Sequence, residues 1–456
     1  MTMAARQRLL WVTPNLPVRG ISAARERWWH LLAHLVARHD ITLLALLDAE
    51  DAERTADVPP GLARLELVPK PPWRPHDALA LLPQTVAGGF SHPGFRTAIA
   101  AALARDAFDL VQYEYGEMAH AMPWPSPPAI LTVHQLGFAQ ERARWRAEHG
   151  GVRHGAILLH RYLRELAFEL RAVTQADHVI TMSSEDAARL QAFHPELPVT
   201  VSPCGVDVEH FRPGTVRSAE PVDLLFVGHF GHPPNRDAVA FLARHVLPAL
   251  APDVRLRIVG HGARQSDLPV SPRIEIVGSV PDVRPHLASA RVVVAPVRFG
   301  TGMRGKVLEA LAMARPLVTT PLGAEGLEAQ DGRDLLVAGE PRAFARAIER
   351  LLADPVLAER IGNAGRALVV QRFTWEPIAA AHDAIYTHLL GAPRRAVRPT
   401  AIAPPLLDAL GTRLGYLPGL ALGTGLLALR ALGWHGRRWL ARRPSSASGE
   451  TARASA

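Results

Sequence analysis

The chain has 456 residues, of which 48% are hydrophobic and 21% are charged, a composition typical of a soluble globular protein with two or three domains. Its only cysteine, Cys204, excludes an intrachain disulfide and a cysteine-based zinc site, and it favours a reducing, cytoplasmic location. The net charge of +8 is confined to the segment after residue 392, since residues 1–392 carry 41 basic and 41 acidic side chains, which excludes a nucleic-acid-binding groove on the folded body.

Short apolar segments alternate with helical patterns over the first 200 residues. The first strand is predicted at 9–12, and a helix at 22–36 has its apolar residues on one face. Further buried strands are predicted at 41–47, 110–113, 130–133 and 179–182. Such alternation of strands and helices predicts a parallel, doubly wound α/β sheet.

A second series of the same kind follows a link at 199–213 that is rich in proline and glycine. Its strands are predicted at 224–228, 256–260, 274–278, 292–295 and 317–320. Its helices are predicted at 237–250, 306–313, 341–352 and 355–370. The sequence therefore predicts two tandem Rossmann-like doubly wound domains, with a cleft between them and ligands at the carboxyl ends of the strands.

The domain boundaries follow from the same pattern. We expect the first domain over residues 1–200 and the second over 201–375. A helix over 376–392 is expected to return to the first domain, and a basic tail rich in Pro, Gly and Ala occupies 393–456.

The segment 299–312 carries the strongest chemical signal, because it follows a predicted strand and opens a helix. Three glycines allow the backbone to approach a ligand closely, and a helix N-terminus favours an anion: Gly300, Gly302 and Gly305. Arg304 and Lys306 add two cations, so together they describe a diphosphate site. Glu309 follows within the first turns, where a carboxylate could accept hydrogen bonds from paired ribose hydroxyls. The alternative is a glycine-rich turn with solvated charges and a Glu favoured by the helix dipole.

Taken jointly, these segments resemble the family 4 glycosyltransferases of the GT-B fold. The resemblance extends from about residue 8 to 390 and is best over 223–327. The motifs that carry it are Phe226-Val227-Gly228, the segments 233–238, 306–312 and 320–327, and the link 201–207. The resemblance implies an N-terminal acceptor-side domain and a C-terminal domain that holds most of a nucleotide-sugar donor.

The resemblance also implies donor-binding roles for residues of the second domain. Glu309 resembles the second Glu of the family's paired-glutamate motif, which binds the nucleotide ribose. Lys306 and Arg304 look placed for the donor diphosphate and its departure, and Gly228 resembles the turn glycine that faces the donor phosphates. Thr301 stands where the family often has its first Glu, so we expect the backbone of Gly300, Thr301 and Gly302 to contact the donor sugar instead.

Three residues of the first domain complete the predicted site. Gly20 matches the loop that closes over the reacting centre, and His134 is similar to the family's active-site His near the transferred sugar. Glu114 follows a predicted strand and could bind acceptor hydroxyls, with a solvated loop carboxylate as the alternative. A satisfied hydrogen-bonding group at a strand end is likewise the alternative for His134.

The function implied by the resemblance is transfer of a sugar from a nucleotide diphosphate-sugar to a glycan, lipid-linked or small-molecule acceptor, with retention at the anomeric carbon. We expect no metal or other cofactor, since no Asp-x-Asp ends a strand and no His or carboxylate set has ligand spacing. Two alternatives remain open, namely a nucleotide-sugar epimerase of the same architecture and a non-catalytic sugar- or membrane-binding scaffold.

The tail suggests a membrane contact. An uncharged run at 414–429 is too short and too rich in helix breakers to span a bilayer. Four arginines follow it and could rest on an anionic membrane surface near a lipid-linked acceptor: Arg437, Arg438, Arg442 and Arg443. A disordered or loosely docked extension is the alternative.

Overall fold

The computed structural model describes residues 6–70, 93–123, 126–147, 152–264, 267–300 and 302–393, and it contains two parallel sheets. The first sheet has seven strands in the order β3-β2-β1-β4-β5-β6-β7. Its strands are β1 Arg8–Thr13, β2 Asp40–Leu47, β3 Arg64–Pro69, β4 Leu110–Glu114, β5 Ala129–Val133, β6 His178–Thr181 and β7 Val199–Val201. Every pairing in it is parallel, with Leu10 opposite both Thr42 and Val111.

The second sheet has six strands in the order β10-β9-β8-β11-β12-β13, also parallel. Its strands are β8 Val222–Val227, β9 Leu256–Val259, β10 Ile274–Gly278, β11 Ala290–Ala295, β12 Leu317–Thr319 and β13 Leu336–Val337. The predicted fold, two tandem Rossmann-like α/β sheets, is thereby confirmed.

Helices cover both faces of the two sheets, as continuous apolar strands require. In chain order they are α1 Ala23–Leu35, α2 Pro93–Arg105, α3 Gly137–Ala147, α4 Val152–Ala172, α5 Ser184–Gln191, α6 Pro233–Phe241, α7 Arg284–Ser289, α8 Gly305–Ala312, α9 Pro341–Ala353, α10 Pro355–Arg372 and α11 Trp375–Gly391. Polar caps begin several of them: Ser22 accepts from the Arg25 amide before α1, and Asp354 accepts from the Leu357 amide before α10.

The core of each sheet consists of side chains that alternate between its two faces. In β1, Leu10 and Val12 pack on one face while Leu9 and Trp11 pack on the other, and all four are buried. Among the described residues, no helix combines the length and the hydrophobicity needed to cross a bilayer.

Two segments connect the sheets and pack on each other. Gly205, in the link after β7, lies so close to the Trp375 ring that a Cβ there would be 2.7 Å away, and the Val206 amide donates to the Phe373 carbonyl at 2.8 Å. Helix α11 then lies against the first domain, where Asp383 pairs with His39 at 2.8 Å. The predicted basic tail 393–456, except for its first residue, lies outside the described residues.

One predicted helix begins elsewhere. The pattern predicts a helix at 237–250, whereas α6 covers Pro233–Phe241 and is followed by a π turn and a 3₁₀ turn. The earlier start is allowed because proline is tolerated in the first turn of a helix, where its missing N–H has no partner to lose.

Candidate active site

The carboxyl ends of β8 and β11 define a crevice in the second domain. These strands pair although they are distant in sequence, so the loops after them diverge. Gly228 follows β8, and a Cβ there would lie 2.9 Å from Cγ of Asn235. A Cβ at neighbouring Gly260 would lie 1.9 Å from the Gly228 carbonyl oxygen, so only glycine fits. Gly228 therefore lies at the crevice, and its contact with donor phosphates stays a prediction.

Lys306, in the first turn of α8, reaches back to the end of β8. Its Nζ donates to Oδ1 of Asn235 and lies 4.4 Å from the centroid of the Phe226 ring. Burial lowers the pKa of Lys306 to about 7, and the charge of Arg304 adds to this while Glu309 opposes it. A desolvated ammonium in this setting is stabilised most by an anionic ligand.

Arg304 immediately precedes α8 and places a second cation beside Lys306. A Cβ at Gly300 would lie 3.5 Å from Nη2 of Arg304, and the φ of +105° at Gly300 is one that side chains rarely adopt. Burial lowers the pKa of His232 to about 4, with the charges of Arg304 and Lys306 acting in the same direction. His232 is therefore neutral at pH 7, and the two cations lie next to the N–H groups of a helix N-terminus, an arrangement suited to a diphosphate.

Glu309 lies within electrostatic range of a second carboxylate, that of Glu26 in the first domain. Burial raises the pKa of Glu309 to about 7, and the charge of Glu26 on α1 raises it further against the effect of Lys306. Glu26 accepts from the amide of Gly20 at 2.5 Å. Gly20 has a φ of +81°, and a Cβ there would meet no atom within 4 Å, so this loop faces open space. Residues of both domains therefore act on Glu309, and its contact with a ribose stays a prediction.

The glycine loop before α8 touches the first domain at His134. A Cβ at Gly302 would lie 2.7 Å from the His134 carbonyl oxygen, and Gly302 has a φ of +81°. A Cβ at Gly305 would lie 3.2 Å from Cβ of Ala23 on α1. Thr301 lies outside the described residues, so its contact with the donor sugar stays a prediction. The loop and His134, which are 168 positions apart, therefore close one site.

Glu114 is fully buried and holds His134. Its Oε2 lies 2.7 Å from Nε2 of His134 and accepts from Nε1 of Trp28 at 2.9 Å. Its Oε1 accepts from Gln112 at 2.5 Å and from Thr132 at 3.2 Å. The solvated-carboxylate alternative is wrong. The hypothesis that Glu114 binds an acceptor is wrong as well, because both carboxylate oxygens are engaged inside the domain and neither is exposed to an acceptor.

The pKa values of this pair indicate a carboxylate beside a neutral imidazole. Burial alone would raise the pKa of Glu114, but the hydrogen bond and charge of His134, the charge of Arg27 and the bond from Gln112 outweigh it and lower the pKa to about 2. Burial lowers the pKa of His134, against the effect of Glu114. The imidazole is therefore neutral at pH 7, with a proton on Nε2 that it donates to Glu114.

Aromatic rings fix the His134 ring from two further sides. The Tyr115 ring stacks on it at a centroid distance of 4.5 Å and an interplanar angle of 14°, and Trp28 meets it edge-on at 5.7 Å. Tyr115 has a φ of +82°, which costs free energy in a non-glycine residue and is typical of functional sites. Sequence reasoning missed Tyr115, because nothing in a tyrosine that follows a strand indicates a left-handed backbone.

The structure thus gathers most predicted residues at one cleft. The second domain contributes Gly228, Gly300, Gly302, Arg304, Lys306 and Glu309, and the first contributes His134, while Gly20 is hydrogen-bonded to Glu26 of the first domain. Asn235, which holds Lys306, and Glu26 were not singled out from the sequence. Among the described residues, no group of three or more His, Cys, Asp or Glu side chains is arranged to hold a metal ion.

Two family models match the chain, one in each domain. Residues 26–210 match the model described as Glycosyltransferase Family 4, and residues 221–354 match the model described as Glycosyl transferases group 1. Among curated relatives, a D-inositol 3-phosphate glycosyltransferase of Streptomyces bingchenggensis is 30% identical over 265 residues, which are 50% of this chain and 56% of the relative. A glycogen synthase of Mycobacterium tuberculosis is 29% identical over 305 residues, 63% of this chain and 68% of the relative. The chain spans little more than half the length of the first relatives that it matches.

Solved structures share the fold of this chain. Sucrose-phosphate synthase from Thermosynechococcus elongatus superposes with a TM-score of 0.64 at 20% identity, covering 85% of this chain and 100% of that one. HepE of Anabaena, in complex with UDP-glucose, superposes with a TM-score of 0.61 at 14% identity, covering 84% and 100%. At these identities the likeness concerns the two-domain architecture.

Proposed function

We propose, since this chain belongs to the family 4 glycosyltransferases of the GT-B fold, that it transfers a sugar from a nucleotide diphosphate-sugar to a hydroxyl group of an acceptor. One observation carries the proposal: Lys306 and Arg304 lie together at the start of α8, and the glycine loop before them touches His134 of the first domain at Gly302. The names of the relatives, a D-inositol 3-phosphate glycosyltransferase and a glycogen synthase, support glycosyl transfer, and the UDP-glucose bound by HepE supports a nucleotide-sugar donor.

In the proposed reaction, charge that develops on the leaving diphosphate is stabilised by groups already in place. Protonated Lys306, Arg304 and the N–H groups at the start of α8 supply this stabilisation as preorganised electrostatics, without a metal ion. Holding Lys306 against Asn235 and Phe226 means that little reorganisation is needed when the bond to the sugar weakens.

The transferred sugar would lie between the Gly300 and Gly302 backbone and His134. An acceptor hydroxyl forms the new bond to the anomeric carbon while the bond from that carbon to the phosphate oxygen breaks. The acceptor proton passes to the departing phosphate oxygen, so atoms and charges balance without a dedicated protein base. This route gives retention at the anomeric carbon, which we propose from family membership.

A panel of nucleotides identifies the donor. UDP, GDP, ADP and dTDP, each free and as its glucose ester, are added to the full chain and the melting temperature is measured, because a ligand that binds only the folded state raises it. We expect one base to stabilise strongly and the effect to be lost in Lys306→Met. No stabilisation by any nucleotide at millimolar concentration would contradict the proposal.

Product analysis separates transfer from epimerisation. The selected nucleotide-sugar is incubated with and without a mixture of small hydroxyl acceptors such as glucose and inositol phosphates, and the sugar products are resolved by NMR. Transfer requires the acceptor and gives a glycoside with the anomeric configuration of the donor. Isomerised sugar that forms without any acceptor would instead show the epimerase.

We further propose a cytoplasmic protein whose tail contacts an anionic membrane, since four arginines follow the apolar run 414–429. Sedimentation with vesicles of neutral and of anionic lipid, for the full chain and for a chain that ends at Ala392, tests this. Equal partitioning of the two chains would rule the contact out.

A further inference from the structure

A chain of buried polar side chains runs from the interdomain link to the active site. At its start, Arg27, which is 1% exposed, donates to Oγ of Ser202 at 3.0 Å and lies 3.3 Å from Nε2 of His382 on α11. His382 Nδ1 lies 3.4 Å from the hydroxyl of Tyr386, one turn further along α11. All four residues are buried, so water does not compete for these bonds.

The series of hydrogen-bonded side chains then enters the first sheet. The Tyr386 hydroxyl donates to Oε1 of Gln112 on β4 at 2.6 Å. Gln112 donates through Nε2 to Oε1 of Glu114 at 2.5 Å, and Glu114 bonds His134. Helix α11 therefore connects, through two residues of β4, with the imidazole that we propose to lie beside the transferred sugar.

The direction of every bond in this chain is fixed by chemistry. The Tyr386 hydroxyl gives its proton to Gln112, so Nδ1 of His382 carries the proton that it donates to Tyr386. Nε2 of His382 accepts from Oγ of Ser202 at 3.0 Å and from Arg27. Burial lowers the pKa of His382 to about 3 and raises the pKa of Tyr386 well above its ordinary value, so both groups are neutral. Tyr386 therefore accepts from His382 and donates to Gln112.

The bond directions at the Glu114 end of this series of side chains are fixed in the same way. A carboxylate can only accept, so Gln112 must present its NH₂ to Glu114 and its oxygen to Tyr386. Glu114 then accepts from Nε2 of His134, and the lone pair of the neutral ring is on Nδ1. The Trp28 indole N–H, 2.9 Å from Glu114 and 3.2 Å from His134, is satisfied by the carboxylate.

We infer that Tyr386 is a positioning residue for His134: its hydroxyl fixes the Gln112 amide, which aligns Glu114, which in turn holds His134 in the tautomer with its proton on Nε2. The inference rests on the proposed function for its catalytic consequence, because the fixed tautomer presents the Nδ1 lone pair to a sugar hydroxyl. Docking of α11, which crosses between the domains, thereby becomes a condition for a correctly oriented imidazole.

The test compares Tyr386→Phe with Tyr113→Phe. Tyr113 is also fully buried and lies on β4 between Gln112 and Glu114, but its hydroxyl has no hydrogen-bond partner among the described residues. Both substitutions remove one buried hydroxyl from the same domain. Any difference between them therefore reports the connection to Gln112 and not the loss of a hydroxyl as such.

The first readout needs no substrate. The full chain is labelled with ¹⁵N-histidine, and the His134 signals are assigned by their absence in His134→Gln. We expect one protonated Nε2 and one unprotonated Nδ1 at pH 7.5 in the native protein and in Tyr113→Phe. In Tyr386→Phe we expect both nitrogen signals to shift and broaden, because the Gln112 amide loses its bond from Tyr386 and Glu114 no longer holds the ring in one position.

The second readout is transfer activity with the nucleotide-glucose that the panel selects. Tyr386→Phe should lower kcat roughly tenfold or more while the KM for the donor stays within about twofold, since the diphosphate site is untouched. Gln112→Leu, which breaks the same connection from the other side, should reproduce the shift and broadening of the His134 signals if Tyr386→Phe folds poorly. Shifts for Tyr386→Phe and Gln112→Leu that match those of Tyr113→Phe would overturn the inference, whether or not the protein proves to be a transferase.

Discussion

The Nζ atom of Lys306 lies 4.4 Å from the centroid of the Phe226 ring, so the ammonium rests on an aromatic face at the end of β8. Among the described residues it forms no ion pair, and its hydrogen-bond partner is the neutral amide of Asn235. A ring face and an amide dipole stabilise a cation less than a carboxylate does. The positive charge of Lys306 is therefore available to pair with an anionic ligand.

Replacing Lys306 should abolish donor use and leave the fold intact. In Lys306→Met we expect the rate of transfer to fall by about 10²–10³-fold, because the preorganised positive charge that stabilises the leaving diphosphate is removed. The melting temperature should stay unchanged or rise, since a buried ammonium is exchanged for an apolar side chain of similar size. Lys70, the only other lysine, pairs with Asp48 at 3.2 Å and is the matched control. Equal activity in Lys306→Met and Lys70→Met would contradict the assignment.

Donor binding should be strongest near pH 7. In the proposed donor complex Lys306 binds the diphosphate when protonated, so its pKa of about 7 predicts that affinity falls as the pH rises above 7. Glu309 is proposed to accept from ribose hydroxyls when ionised, so its pKa, raised to about 7, predicts that affinity falls as the pH drops below 7. Calorimetric titration with a nucleotide-sugar between pH 5.5 and 8.5 measures this profile.

Two variants assign the limbs of that profile. Lys306→Met should flatten the alkaline limb, and Glu309→Gln should flatten the acid limb, each with weaker binding overall. A nucleotide-sugar is the better probe because both of its phosphates are esterified and do not titrate in this range. A profile that stays flat in the native protein would show that neither group titrates in contact with the donor.

Much of the fold follows from the sequence, since buried parallel strands are continuous apolar runs and helices between them have one apolar face. The strand β3, Arg64–Pro69, was not predicted, because it lies at the edge of its sheet and alternates charged with apolar residues. The early start of α6 was not predicted either, since Pro233 and Pro234 look like a helix boundary when the first turn is not considered.

The candidate site was only partly predictable. The cluster around Lys306 is local in sequence, and spacing alone brings its charges to a helix N-terminus. The role of Glu114 depends instead on its hydrogen bonds from Trp28 on α1 and from Gln112 on its own strand β4. Nothing in the spacing of a carboxylate after a strand shows whether such partners surround it, so its burial became apparent only from the structure.

Closure of the site depends on Gly302. In Gly302→Ala the new Cβ would lie 2.7 Å from the His134 carbonyl oxygen, so the loop must move away from the first domain. We expect transfer activity to fall at least about tenfold, because small displacements of reacting groups are costly. The measurement is kcat/KM for the selected donor.

The matched control for that variant is Gly332→Ala. Gly332 has a φ of +77°, close to the +81° of Gly302, but a Cβ there would meet no atom within 4 Å. Both variants should lose about 1–2 kcal/mol of folding free energy from the unfavourable backbone conformation. Only Gly302→Ala should lose activity, and equal activity of the two variants would show that the contact with His134 is dispensable.

A group of half-buried carboxyls that includes Glu165 on α4 should make stability depend on pH. Burial raises the pKa of Glu165 to about 8, with the charge of Glu117 adding to it and that of Arg164 opposing it. Because this folded-state pKa is above the ordinary value of 4.5, the folded protein binds more protons than the unfolded chain between pH 4.5 and 8. The free energy of unfolding therefore falls as the pH rises through this range.

Glu165→Gln should reduce that dependence by the contribution of Glu165, because the amide resembles the protonated acid and stays neutral at every pH. At pH 8.5 we expect the variant to be more stable than the native protein by more than about 1 kcal/mol, and at pH 5 we expect the two to be nearly equal. Urea unfolding at both pH values measures the difference. The exposed Glu359 on α10 provides the control, since Glu359→Gln should change stability equally at both. If Glu165→Gln proved less stable than the native protein at pH 8.5, Glu165 would be ionised and paired in the folded state, which contradicts the raised pKa.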